Sequence, residues 1–217
     1  SYVEGVYPTY VTRGKGSHFF DVDNNEYIDY VLGLGPISLG YCYKQVDQAI
    51  MHQMKNGISF SIPHYLEIEL SEKLQKLIPG SEMVRFSKTG SDAVTACVRA
   101  ARAYTKRDHI LYTGHGGVWH DWFTAITSRN SGIPDFNKEL IHIFKYNDID
   151  EIEKLFKKLK GKIAAIVMEP MWLDYPSKSY LHELKEIAHR KIRGRIYVRG
   201  LQYKCICRAS DRFCEHR

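Results

Sequence analysis

Thr89-Gly90-Ser91-Asp92-Ala93 lies between a short apolar run, Met83-Val84-Arg85-Phe86, and a long alanine-rich helical pattern. A strand that turns on Gly and Ser straight into a helix leaves several backbone N–H groups unpaired and aimed at one point. Such a point holds a phosphate without a charged side chain, because the helix dipole adds to the open amides. Taken alone, the same five residues also describe an ordinary capped helix start.

The surrounding pattern places this turn in an α/β architecture. Ala93, Cys97, Ala100 and Tyr104 line one helical face. His109–Thr113 reads as a strand, Leu140–Phe144 as another and Ile163–Met168 as a third; the last is nearly all apolar, as a strand covered on both faces is. Helical patterns at Ile149–Leu159 and Tyr180–His189 alternate with them. Strands alternating with helices imply a largely parallel sheet.

Upstream, His18–Asp23 and Glu26–Val31 read as two strands around Asn24-Asn25, since Asn tolerates positive φ. Gly33, Gly35 and Pro36 form a loop. Val46, Ala49, Ile50 and Met54 have helical spacing that Gly57 stops. A second helix begins after Pro63 with a stripe of Leu66, Leu70, Leu74, Leu77 and Ile78, and Pro79-Gly80 ends it.

Charge and cysteine separate the body from the tail. Residues 190–217 hold nine basic and two acidic side chains, whereas residues 1–189 carry a net charge of −1. The near-neutral body gives no reason to expect nucleic acid or an anionic membrane as a partner. No apolar run approaches the ~20 residues that cross a bilayer. Cys205, Cys207 and Cys214 sit in the tail, and Cys97 falls on an apolar helix face, where a buried thiol is expected. The odd total without framework spacing suits a reducing, cytoplasmic setting. Cys205-Ile206-Cys207 with Cys214 and His216 lacks the usual C-x2-C zinc spacing, so no metal site is assigned. Leu201 to Arg217 shows neither clean periodicity nor turn logic. The tail reads as a solvated C-terminus, as an extension foreign to the parent fold, or as a nucleic-acid-binding segment.

Two later pieces accompany the Gly-Ser turn: Trp119-His120-Asp121-Trp122, and Met168-Glu169-Pro170 closing an apolar strand. Together the three point to an enzyme that grips a phosphorylated cofactor. In this order, with Gly14-Lys15-Gly16-Ser17-His18, Asp21–Asp29, Gly33-Leu34-Gly35-Pro36, Leu39-Gly40 and Ala100-Ala101-Arg102-Ala103-Tyr104-Thr105-Lys106-Arg107, the blocks resemble class III pyridoxal-phosphate aminotransferases, especially relatives of glutamate-1-semialdehyde aminomutase.

The resemblance, over residues ~7–189, implies fold type I: an incomplete large domain with a mostly parallel sheet, plus an N-terminal arm and hairpin. Residues 1–60 would be the N-terminal segment with the small-domain part, 61–189 a partial cofactor-binding domain and 190–217 an atypical basic tail. The implied cofactor is pyridoxal 5'-phosphate. Gly90 and Ser91, with Thr89 beside them, would hold its phosphate. Trp119 and His120 would border it, with Trp119 or His115 as the stacking partner in place of the family's Tyr. Glu169 would order the site at the strand end, and Asp174 is the nearest polar residue to the position of the family's Asn.

The resemblance also implies what this sequence lacks. The family's acid for the pyridine nitrogen falls where Arg195-Ile196-Tyr197-Val198-Arg199-Gly200 stands, without an Asp. No lysine of the chain matches the Schiff-base position, which comes beyond Arg217. No catalytic residue is therefore assigned. The expected activity is transamination between an amino donor and a carbonyl acceptor in a homodimeric parent, with this chain inactive alone. The alternative is a non-catalytic relative that binds a phosphate ligand or pairs with a complete subunit.

Overall fold

The computed structural model describes residues 6–78, 81–114, 118–171, 175–192, 198–201 and 204–207. The expectations for Pro79-Gly80, His115, Asp174, residues 195–197, Cys214 and His216 lie outside the described residues. The chain divides into two compact units, one up to His64 and one from Tyr65.

The first unit is built on an antiparallel sheet of β1 (Val11–Lys15), β2 (His18–Asp21) and β3 (Glu26–Ile28), in that order. Sequence reasoning found the β2–β3 hairpin but not β1. The turn is longer than two residues because the Asp21 carboxylate organises it. That side chain accepts the amides of Asp23 and Asn25, each at 2.9 Å, and the Tyr27 hydroxyl at 3.0 Å. Asn24 takes the positive φ, 64°. The third strand stops at Ile28 because Asp29 turns to serve the next loop, accepting the Val31 and Leu32 amides and the Tyr41 hydroxyl. Gly16 and Tyr41 exchange both backbone hydrogen bonds, 3.0 and 2.7 Å. Helix α1 (Lys44–Met54) follows.

In the second unit α2 (Tyr65–Leu77) and α3 (Gly90–Thr105) precede a parallel sheet of β4 (His109–Thr113), β5 (Ile141–Ile143) and β6 (Ile163–Met168), ordered β5-β4-β6. Between β4 and β5 lie two single-turn helices, α4 (Asp121–Thr124) and α5 (Phe136–Glu139). Helices α6 (Ile149–Lys158) and α7 (Tyr180–Lys191) flank β6 in sequence. The central strand is buried on both faces. Ile110 and Tyr112 pack with Val98 and Ala101 of α3, while Leu111, between them, packs with Ile152 of α6 and Leu184 of α7. Side chains of a strand alternate in direction, so one strand knits two cores. Cys97 is buried and unbridged, as expected.

Two elements differ from expectation. Met83–Phe86 forms no strand, although it was read as the strand feeding α3. A strand needs a ladder, and the sheets of the described residues do not include this segment; Met83 is exposed. Beyond α7, β7 (Val198–Leu201) and β8 (Lys204–Cys207) pair antiparallel; the stretch 193–200 can pass for a strand in the sequence and overlaps β7, whereas β8 lies in the stretch from Leu201 that shows no periodicity. Among the described residues no helix is long and apolar enough to cross a membrane.

Two stability outcomes follow from these contacts. Gly40 has φ 85°, and a Cβ there would stand 2.8 Å from the Gly16 carbonyl oxygen. Gly40→Ala is expected to cost more than about 1 kcal/mol, read from the urea midpoint, whereas Gly→Ala at a compatible site would stabilise. His109 on β4 and His142 on β5 meet Nδ1 to Nε2 at 2.8 Å. Their ring centres are 5.1 Å apart and their planes nearly parallel, so the nitrogens lie between the rings in an edge-to-edge hydrogen bond. Burial first, then nearby Lys162 for His109 and His109 for His142, pushes both below the ordinary value of 6.5. The unfolded chain therefore binds these protons more readily. Stability from the pair is present above about pH 6.5 and lost as pH falls below it. The urea midpoint should drop between pH 7.5 and 5.5, and His142→Asn should flatten that dependence.

Candidate anion-binding site at the start of helix α3

Helix α3 begins at Gly90 because Thr89 caps it. Thr89 is extended, with φ −130° and ψ 162°, and its hydroxyl oxygen accepts the Asp92 amide at 3.2 Å. Asp92 reciprocates: its Oδ2 accepts the Thr89 amide at 3.0 Å and the Thr89 hydroxyl at 2.8 Å. This is a complete capping box with Asp in place of the longer Glu. The Thr89 hydroxyl bond, with further help from the Thr89 amide and the His120 ring and against desolvation, holds the Asp92 carboxyl below its usual range. The acid is thus ionised, yet turned back over the cap. Gly90 occupies the first helical position, and its amide meets no acceptor among the described residues.

The loop after β4 is fastened to this helix end. Ser91 is buried, and its hydroxyl oxygen accepts the Trp119 amide at 3.0 Å. The His120 carbonyl accepts the Phe123 and Thr124 amides and so starts α4. The His120 ring lies with Nδ1 2.7 Å from the Thr95 hydroxyl and Nε2 3.5 Å from Asp92 Oδ1. Trp122 and Phe123 are buried, and the Trp122 indole N–H donates to Thr95 Oγ1 at 2.8 Å. Trp119 is 67% exposed, with the Arg129 guanidinium 5.5 Å above its ring. Its side chain lines a groove along the flank of α3 with Thr95, Arg99, Arg102 and Phe136.

Glu169 follows β6 directly, at the carboxyl edge of the sheet. Gly114 follows the neighbouring β4 with φ 123°, and a Cβ on it would lie 3.3 Å from Glu169 Cγ. Glycine at 114 therefore lets the glutamate side chain lie close against that strand end. Behind this edge, Tyr112 is buried with a hydroxyl that has no hydrogen-bond partner among the described residues. Burial, and secondarily the Glu169 carboxylate, raise its pKa.

The structure thus joins Thr89, Gly90, Ser91, Trp119 and His120 around one helix end and sets Glu169 at the carboxyl edge of the sheet. Sequence reasoning missed Thr95. The usable signal was that a buried indole N–H needs an acceptor, and Thr95 is a hydroxyl on the helix that the tryptophan loop follows. Among the described residues no group of three or more His, Cys, Asp or Glu side chains could hold a metal.

An open glycine amide at a capped helix start, near the carboxyl edge of a parallel sheet, is chemistry for an anionic ligand. The family model described as Aminotransferase class-III matches residues 2–193. This chain belongs to the class III aminotransferases. It is 38% identical over 197 residues to the 3-aminobutyryl-CoA aminotransferase of Cloacimonas acidaminovorans, covering 88% of this chain and 47% of that one. It is 38% identical over 200 residues to the glutamate-1-semialdehyde 2,1-aminomutase of Sulfurihydrogenibium azorense, covering 86% and 47%. The structure resembles an omega-transaminase from Sphaerobacter thermophilus with a TM-score of 0.78 at 26% identity, over 87% of this chain and 48% of that one. That likeness carries the expected fold type I. The chain spans about half the length of the curated relatives it matches.

The cap itself gives a measurable stability term. Thr89→Ala removes the hydroxyl that both accepts from and donates to Asp92, and is expected to cost about 1 kcal/mol in urea unfolding. Thr89→Ser, which keeps the hydroxyl, should recover most of it.

Proposed function

We propose that this chain supplies the phosphate-binding part of a class III aminotransferase and binds pyridoxal 5'-phosphate through the start of α3. The observation that carries this reading is a Gly90 amide with no acceptor among the described residues, beside a complete capping box, in a chain of this family. Gly90 and Ser91 would donate to the phosphate. Thr89 would hold the cap, and Trp119 and His120 would wall the site. Glu169 would face the ring end from the carboxyl edge of the sheet. The solved relatives of this chain include a transaminase with PLP bound, 27% identical to it. The cofactor, when bound, supplies an electron sink for a substrate carbanion.

The parent reaction in this reading moves an amino group from an amino donor to a carbonyl acceptor, in an enzyme whose active form is a homodimer. This chain alone would bind without turning over. The acid that keeps the pyridine nitrogen protonated has no counterpart at Arg195 to Gly200, and no lysine matches the Schiff-base position.

The decisive variant is Gly90→Pro. Proline suits the first helical position, and extended Thr89 suits the residue before it, so the helix start is retained while one N–H is removed. Thermal-shift titration with pyridoxal phosphate should show stabilisation of the wild type and a Kd weaker by roughly tenfold or more in the variant, the worth of a hydrogen bond to a charged group. Borohydride reduction of the wild-type mixture should trap no single lysine. Equal affinity in the variant would move the phosphate elsewhere, and one defined adduct would overturn the inactivity.

A further inference from the structure

We propose that Thr95 is a positioning residue: its hydroxyl sets the proton position on His120 and so keeps Asp92 turned away from the anion site. This rests on the reading of the α3 start as a phosphate site, but its first test does not need a ligand.

The direction of each bond follows from donor chemistry. An indole N–H can only donate, so at 2.8 Å Thr95 Oγ1 must accept from Trp122. The threonine proton is left to point at His120 Nδ1, 2.7 Å away. In a neutral ring Nδ1 then carries the lone pair and Nε2 carries the hydrogen. Nε2 faces Asp92 Oδ1 at 3.5 Å, where a hydrogen is attracted and a lone pair would be repelled. The two ends of the ring therefore demand the same tautomer. The chain of hydrogen bonds runs from Trp122 through Thr95 to His120, whose Nε2 faces the Asp92 carboxylate. Asp92 Oδ2, at the far end, is already engaged by the Thr89 amide and hydroxyl.

This order has a consequence for binding. Asp92 stands in the first turn of α3, where its negative charge competes with any phosphate for the helix dipole. Hydrogen-bonded at Oδ2 by Thr89 and attracted at Oδ1 to the His120 N–H, the carboxylate is drawn away from the amides of Gly90 and Ser91. Without the Thr95 hydroxyl the ring loses its reason to keep hydrogen on Nε2. The other tautomer turns a lone pair on Asp92 and releases that oxygen.

The test begins with the wild-type chain labelled with 15N-histidine, at a pH where the ring is neutral. The ring nitrogens of His120, assigned by loss of its signals in His120→Asn, should report hydrogen on Nε2. Hydrogen on Nδ1, or an even mixture, would overturn the inference with no variant required. In Thr95→Val the Nε2–H signature should weaken, and in Thr95→Ser it should return. Inorganic phosphate should bind the valine variant roughly fivefold more weakly, the worth of about one hydrogen bond, and the serine variant as wild type. A changed tautomer with unchanged phosphate affinity would overturn the link to binding. If the wild type binds no phosphate, the proposed function fails, and the tautomer alone decides the role of Thr95.

Discussion

The position of one carboxylate governs what the start of α3 can do. Asp92 sits where a helix most favours negative charge, and it could satisfy that site by itself. It does not, because both its oxygens are engaged elsewhere: Thr89 holds one, and His120 faces the other. A Glu at this position has one more methylene with which to fold back over the cap. The shorter Asp reaches the Thr89 amide at 3.0 Å, and the His120 ring faces its other side. The same residue that completes the capping box would, if it swung free, compete with the proposed anion, and its neighbours engage it instead.

The second constraint is the strand that follows. The last residues of β4 and β6 pair in register, Thr113 with Met168, so Gly114 and Glu169 emerge side by side. Parallel strands put their carboxyl ends on one edge, and ligands of α/β proteins gather there. Gly114 serves this edge through its backbone: φ of 123° is open to glycine, and the missing Cβ is the space against which Glu169 lies. The loop leaving that edge then returns to α3 through Trp119, His120 and Trp122. Sheet edge and helix start are therefore tied by hydrogen bonds from a single connection, rather than by the packing of the core alone.

Much of this was legible in the sequence, and the misses have physical causes. β4 and β6 are legible to the residue, because a doubly covered strand has an apolar centre and its ends must turn. Helix α3 was visible from its cap and its stripe of small residues. Met83–Phe86 looked equally apolar, but a strand is a relation between two segments, and no local pattern shows whether the partner is there. β1, with Thr12, Arg13 and Gly14 at its centre, carries almost no apolar signal and pairs through its backbone. Within the site, Thr89, Gly90 and Ser91 announced themselves because capping is local. Thr95 did not, because its role depends on a ring and an indole 25 and 27 residues away.

That contrast bears on how a transaminase divides its labour. Gripping a phosphate asks for one helix start and a few amides, all within reach of a short stretch of chain. Moving an amino group asks for an acid at the ring nitrogen and an amine at the carbonyl, brought together from distant strands. The first requirement, on the proposed reading, draws on contacts close together in space between α3 and residues 119–122: Ser91 with Trp119, and Thr95 with His120 and Trp122. The second has no such local refuge. On the proposed reading, residues 89–169 in this arrangement would keep cofactor recognition whether or not the chain keeps the chemistry. Binding and turnover would then be separable in this fold.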